Sequence, residues 1–178
     1  MDNYSDITTE SSEFLAKTLG AALKACGLKL ALAESCTGGL AAAAVTEIPG
    51  SSTWFDCGFV TYSNVSKISM LGVLPETLEM YGAVSEEVAM EMAQGCLKIG
   101  VLKNSQAQIA GSITGIAGPD GGSADKPVGT VCFAWAMLDS TTPNQPVSVA
   151  TQHFTGNRQQ IRQQAAAFLL QQLILAIS

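Results

Sequence analysis

Ser35 stands in the run Glu34-Ser35-Cys36-Thr37-Gly38-Gly39, between a short apolar stretch and an alanine-rich one. A serine at a strand-to-helix junction can act as a nucleophile. Backbone N–H groups of Cys36, Thr37, Gly38 and Gly39 at the helix start offer partial positive charge to an oxyanion or a phosphate. Two successive glycines cost about 1 kcal/mol each inside a helix, so close approach to the backbone would explain them. The plainer alternative is that Ser35 or Thr37 only caps the helix and the glycines permit tight packing.

A second block reads Tyr62-Ser63-Asn64-Val65-Ser66-Lys67, and Lys67 is the sole basic residue between Lys29 and Lys98. Enclosure lowers the pKa of a lysine and lets it serve as a base toward a neighbouring Ser or Tyr. Alternatively Lys67 points to water and Ser63 or Asn64 caps a helix. A third block, Thr114 to Gly122, contains Gly115, Ala117, Gly118 and Gly122 and is followed by Lys126-Pro127-Val128-Gly129. Glycine-rich loops expose N–H groups that form anion-binding nests. The Gly-Lys-Ser/Thr ending of a Walker A loop is missing. A long structural loop is the other reading. The fourth block, Gly156-Asn157-Arg158 with Arg162, holds both arginines of the chain. Arg158 falls in the first turn of a helix, where the helix dipole opposes a cation, so an anionic partner would account for it. A surface ion pair is the bland alternative.

These blocks sit between elements that the pattern predicts. Apolar residues at helical spacing run from Thr9 to Cys26, with Gly27 as a stop. Strands are expected over 28–33, 54–61, 106–113, 128–138 and 147–154. Helices are expected over 40–47, 64–71, 75–81, from Ser85 onward with Val88, Met92, Cys96 and Ile99 as its stripe, and over 158–177. Asn157 and Gln160 form a capping-box pattern at the start of the last helix. Strands alternating with helices argue for an α/β fold. A short connection with a turn at 143–146 makes the last two strands antiparallel, so the sheet should be mixed. Residues 1–8 are expected to be a flexible tail and residues 9–178 a single domain.

Composition narrows the function. The chain has 178 residues, of which 47% are hydrophobic and 13% charged, with nine Lys and Arg against fifteen Asp and Glu. The acidic balance disfavours nucleic acid. No run reaches the roughly 18 apolar residues of a membrane span, and the acidic start is unlike a signal peptide, so a cytoplasmic location is expected. Five cysteines without C-x-x-C spacing and a lone His153 give neither a disulfide framework nor a metal site. So low a charge points to a homo-oligomer.

Together, AESCTGG (33–39), PGSS (49–52), TYSN with Lys67, YGAVSEEVAMEMA (81–93), TGIAGPDGG (114–122), KPVGTV (126–131) and FTGNRQQIR (154–162) closely resemble the C-terminal domain of the competence-damage-inducible CinA family. Stand-alone members of that family are nicotinamide mononucleotide deamidases. The resemblance covers nearly all of residues 10–177. It implies a three-layer α/β/α sandwich with a mixed, mostly parallel sheet. It also implies hydrolysis of nicotinamide mononucleotide, a small-molecule nucleotide, to nicotinate mononucleotide and ammonia, without metal or cofactor. Ser35, Tyr62 and Lys67 match the family's serine, tyrosine and lysine. Cys36 to Gly39, the Thr114 to Gly122 loop, and Lys126 or Arg158 would then hold the substrate. The family's full-length architecture adds an N-terminal domain outside these residues. Its usual Gly-Asp-Arg reads Gly156-Asn157-Arg158, which keeps a cap and removes a charge contact. A non-catalytic nucleotide-binding or regulatory module is the rival expectation.

Overall fold

The computed structural model describes residues 11–102, 107–138 and 147–178, with side chains omitted at 99–102. The expected tail over 1–8, the turn at 143–146 and the Ile99 side chain lie outside them. Chain order is α1 (Ser12–Cys26), β1 (Leu30–Glu34), α2 (Leu40–Thr46), a 3-10 turn (Ser51–Thr53), β2 (Phe55–Val60), α3 (Asn64–Leu71), α4 (Pro75–Tyr81), α5 (Glu86–Leu102), β3 (Ile109–Gly115), β4 (Thr130–Met137), β5 (Val147–His153) and α6 (Arg158–Ile177).

Local chemistry explains the punctuation. Ser11 caps α1 by accepting from the Phe14 N–H, and Gly27 ends it in the left-handed region at φ 66°. Among the described residues the helix begins at Ser12. Asn157 and Gln160 form the expected capping box on α6, with Asn157 Oδ1 accepting from the Gln160 N–H at 3.0 Å.

The five strands form one sheet in the order β2-β1-β3-β4-β5. β1 runs parallel to β2 and β3, whereas β4 is antiparallel to both β3 and β5. Only β4 is reversed, so the sheet is mixed with most strands pointing one way. Alternation along β1 sends Leu30 and Leu32 into a core built with α1, α2 and α6, and Ala31 and Ala33 into a second core built with α5. Helices thus cover both faces, and the α/β class follows. The α5 side is packed closely against α3. A Cβ on Gly95 of α5 would collide with the Leu71 carbonyl at the end of α3. This contact fixes α3, the helix that carries Lys67, against the α5 layer.

The parallel strands place their carboxyl ends together, which is where ligands bind in open α/β sheets. The segments leaving β1, β2 and β3 at that end are Ser35–Gly39, Thr61–Ser63 and Ile116–Gly118. No helix among the described residues is long and apolar enough to cross a membrane.

Candidate active site

Ser35 follows β1 directly, and its N–H donates to Ile113 O on β3 at 2.9 Å. That bond continues the parallel ladder and fixes the serine backbone at the rim of the sheet. The side chain is nearly buried. Thr61 continues β2 in the same way, its N–H donating to Glu34 O at 2.8 Å. α3 then begins, capped by Ser63. One turn in, Lys67 points back under the strand ends.

The Lys67 side chain is 1% exposed. Its Nζ lies 3.0 Å from Ser35 Oγ, 2.9 Å from Thr61 O and 3.5 Å from Tyr62 O. These are the hydrogen-bond partners of that nitrogen among the described residues, and none is a carboxylate. Burial therefore lowers the Lys67 pKa below its ordinary 10.5. The alternative of a lysine pointing to water is overturned by the burial of its whole stem. Burial acts in the opposite direction on Cys36, raising its thiol to about 11. Beside Ser35 the thiol stays protonated and is a poor competing nucleophile.

The turn between β1 and α2 is held by a residue that sequence reasoning did not single out. The Glu34 carboxylate is 1% exposed. Its Oε2 accepts from the N–H groups of Gly39 (2.9 Å) and Ala41 (3.2 Å), and its Oε1 from Ala42 (2.8 Å). Those N–H groups at the start of α2 are therefore occupied by protein. Gly38 N–H is also used, donating to Ser35 O at 3.1 Å. The backbone N–H groups of Cys36 and Thr37 have no backbone carbonyl acceptor among the described residues. Gly38 and Gly39 stand at φ 60° and 96°, a backbone that a side chain would strain, and this explains both glycines.

Neither Ser35 nor Thr37 caps α2 with its side chain. Thr37 Oγ1 is fully buried and without a partner among the described residues. An isosteric Thr37→Val change should therefore leave Tm unchanged or raise it. Loss of a true cap would cost about 1 kcal/mol, roughly 2–4 °C at this size, and thermal unfolding would show it.

A cavity of about 270 Å³ opens in front of Ser35. Of the residues singled out from the sequence, it brings together Ser35, Cys36, Tyr62, Lys67, Thr114, Gly115, Ala117, Gly118 and Arg158. Asn64, Asp120 and Gly121 join its wall, none of them separated by the sequence reading as site residues. Arg158 reaches it from the first turn of α6, donating to Gly118 O at 2.6 Å and to the Tyr62 hydroxyl at 3.1 Å. The Tyr62 phenol therefore pairs with Arg158 at the mouth rather than with Lys67. The Thr114 hydroxyl donates to Ala83 O at 2.7 Å.

Thr37, Gly38, Gly39, Gly122 and Lys126 do not line this cavity. Lys126 instead donates to Tyr81 O (2.8 Å) and Val84 O (2.7 Å). It faces a separate cavity of about 330 Å³ together with Glu86, Asp125 and His153. Arg162 lies one turn beyond Arg158, and its partners are backbone carbonyls, Cys36 O at 3.0 Å and Thr37 O at 2.7 Å. Those carbonyls account for Arg162, whereas the anionic partner was expected for Arg158. No group of metal-binding side chains occurs among the described residues.

The model of the CinA C-terminal domain matches residues 12–177. Nicotinamide-nucleotide amidohydrolase PncC of Enterobacter agglomerans is 56% identical over 157 residues, covering 88% of this chain and 90% of that protein. The PncC of Escherichia coli (strain K12) is 52% identical over 159 residues, covering 89% and 90%. Among solved structures, the competence/damage inducible protein CihA from Agrobacterium tumefaciens matches with a TM-score of 0.83 at 43% identity, covering 93% and 94% of the two chains. The CinA superfamily protein KP700603 from Klebsiella pneumoniae 700603 matches with a TM-score of 0.85 at 35% identity, covering 94% and 98%.

Proposed function

The chain belongs to the CinA C-terminal domain family, and we infer that it is a nicotinamide-nucleotide amidohydrolase that converts nicotinamide mononucleotide to nicotinate mononucleotide and ammonia. The observation that carries the mechanism is the buried 3.0 Å contact between Lys67 Nζ and Ser35 Oγ, with carbonyl oxygens as the other partners of the amine among the described residues.

Neutral Lys67 places two hydrogens on Thr61 O and Tyr62 O, which leaves its lone pair facing the Ser35 hydroxyl. Ser35 Oγ attacks the carboxamide carbon as its proton moves to Lys67 Nζ. The carbonyl oxygen becomes an oxyanion, received by the backbone N–H of Cys36, the residue after Ser35 that lines the cavity. Collapse breaks the C–N bond, and the Lys67 ammonium returns its proton to the departing nitrogen, releasing ammonia. A water then attacks the Ser35 ester. It gives one proton to Lys67 Nζ, its oxygen is retained in the nicotinate carboxyl, and the proton passes back to Ser35 Oγ.

Arg158 is the cation of the cavity wall that keeps free donors for the 5′-phosphate, and Tyr62 steadies it through its phenol. The Gly115 to Gly118 segment forms the wall beside Arg158. Five free thiols fit a reducing cytoplasm, and the sparse charge of the chain supports a homo-oligomer.

The test is ammonia release by purified protein from nicotinamide mononucleotide, its riboside and free nicotinamide. A charged hydrogen bond of about 1.5–3 kcal/mol to phosphate predicts a kcat/KM about 10- to 100-fold higher for the mononucleotide than for the riboside. Binding of the mononucleotide without ammonia release would instead establish a non-catalytic module. Equal efficiency on mononucleotide and riboside would contradict phosphate recognition by Arg158.

A further inference from the structure

Asp120 is the one carboxylate among the described residues that line the cavity in front of Ser35. The steps of amide hydrolysis do not use it. It is exposed, and it forms no hydrogen bond or ion pair among the described residues.

Its place is set by the loop that carries it. The Gly129 N–H donates to Ile116 O at 2.8 Å and closes that loop at its base. A Cβ on Gly118 or on Gly122 would collide with Val128, so the chain is packed closely on both sides of Asp120. Gly118 O takes the 2.6 Å bond from Arg158 Nη1. Asp120 follows two residues later, within about 7 Å of chain. The carboxylate is thus carried on the Arg158 side of the cavity without being spent on Arg158.

The covalent order of a nucleotide gives this placement a use. The ribose lies between the phosphate and the ring. With the phosphate on Arg158 and the carboxamide at Ser35, the sugar spans the wall between them. Its cis-diol presents two O–H donors, and an ionised carboxylate has two oxygens that only accept. Such charge-assisted bonds are about twice as strong as neutral ones. Acidic side chains take ribose hydroxyls in this way in dinucleotide-binding folds. Aimed at the phosphate itself, the same carboxylate would repel it.

We propose that Asp120 is a specificity-determining residue that accepts the hydrogen bonds of the ribose 2′- and 3′-hydroxyls. The proposal rests on the nicotinamide-nucleotide reading of the site. It divides recognition between Arg158 on the phosphate and Asp120 on the sugar.

The experiment compares wild type with Asp120→Ala and Asp120→Asn on nicotinamide mononucleotide, its riboside and its 2′,3′-dideoxy analogue. Ammonia release gives kcat and KM, and calorimetric titration gives Kd. In wild type the dideoxy analogue should show KM and Kd about 10- to 100-fold above those of the mononucleotide. Asp120→Ala should raise both by that factor on the mononucleotide and on the riboside, at unchanged kcat and Tm, as loss of uniform binding does. It should change nothing on the dideoxy analogue, whose partner hydroxyls are already gone. Asp120→Asn, which keeps an acceptor without the charge, should lose less than alanine. The inference is overturned if Asp120→Ala stays within twofold of wild type on the mononucleotide. It is overturned equally if the dideoxy analogue is weakened as much, which would put the carboxylate against the pyridinium charge. Sparing of the riboside would put it at the phosphate end and overturn it too. The expected Kd pattern without ammonia release by wild type would uphold the ribose contact and overturn the amidohydrolase reading alone. Failure of wild type to bind the mononucleotide would overturn both.

Discussion

Replacing Lys67 by methionine should lower kcat by about 10²–10⁴-fold, the usual contribution of a positioned general base. Methionine keeps the length of the stem and removes the amine that touches Ser35 Oγ at 3.0 Å. Arginine should fail as well, because its guanidinium stays protonated at any working pH and has no lone pair to offer. In the wild type the base must be neutral. Activity should therefore rise with pH along a limb lying below the ordinary 10.5 of a lysine, because burial lowers the Lys67 pKa.

The same burial makes a stability prediction whose sign can be worked out. Between the lowered pKa and 10.5 the unfolded chain binds more protons than the folded one, so wild-type stability rises with pH across that window. Methionine carries no proton. Measured by Tm, the Lys67→Met protein should compare best with wild type at low pH, and its relative standing should decline toward pH 10.5. An activity loss with no such decline in relative stability would contradict a lysine with a lowered pKa.

Ser35→Ala should remove at least about 10³-fold of kcat, as loss of a true nucleophile does. The substitution deletes one oxygen from a nearly buried side chain, and the backbone bond from Ser35 N–H to Ile113 O remains. Tm should consequently change little, and nicotinamide mononucleotide should still bind through Arg158. Lys67 would not substitute as a nucleophile, because Thr61 O and Tyr62 O hold it beneath the strand ends. Cys36 would not substitute either, since burial keeps its thiol protonated. A variant within tenfold of wild type would move the nucleophile to water and reduce Ser35 to an orienting role.

The fold was largely readable from periodicity and punctuation. Gly27 stops α1 and Gly72 stops α3, each at positive φ, and the antiparallel pairing of β4 with β5 followed from their short connection. The site was readable in parts. Ser35 and Lys67 could each be singled out, but their contact depends on the β1–β2 register and on the approach of α3 to α5 at Gly95. Spacing of 32 residues carries no information about such packing.

Lys126 and Arg158 looked equally able to meet a phosphate, Lys126 from its place beside a glycine-rich loop and Arg158 from the first turn of a helix, where the dipole opposes an unpaired cation. Which side of the 81–85 segment an ammonium falls on is decided by the carbonyls of Tyr81 and Val84. Glu34 went unnoticed for a geometric reason. Side-chain caps are usually sought within three residues of the N–H they satisfy. Glu34 instead reaches N–H groups five, seven and eight residues ahead. A carboxylate closing an apolar strand just before a glycine-led helix is the signal that could have found it.

The covalent step is the centre of the mechanism, and acid-quenched intact mass spectrometry during turnover of nicotinamide mononucleotide addresses it most directly. The predicted result is a population of protein heavier by the nicotinoyl nucleotide acyl group, mapped by digestion to the peptide containing Ser35 and absent from Ser35→Ala. The contradicting result is continued product formation by the Ser35→Ala protein, with the wild-type chain remaining at its unmodified mass throughout turnover.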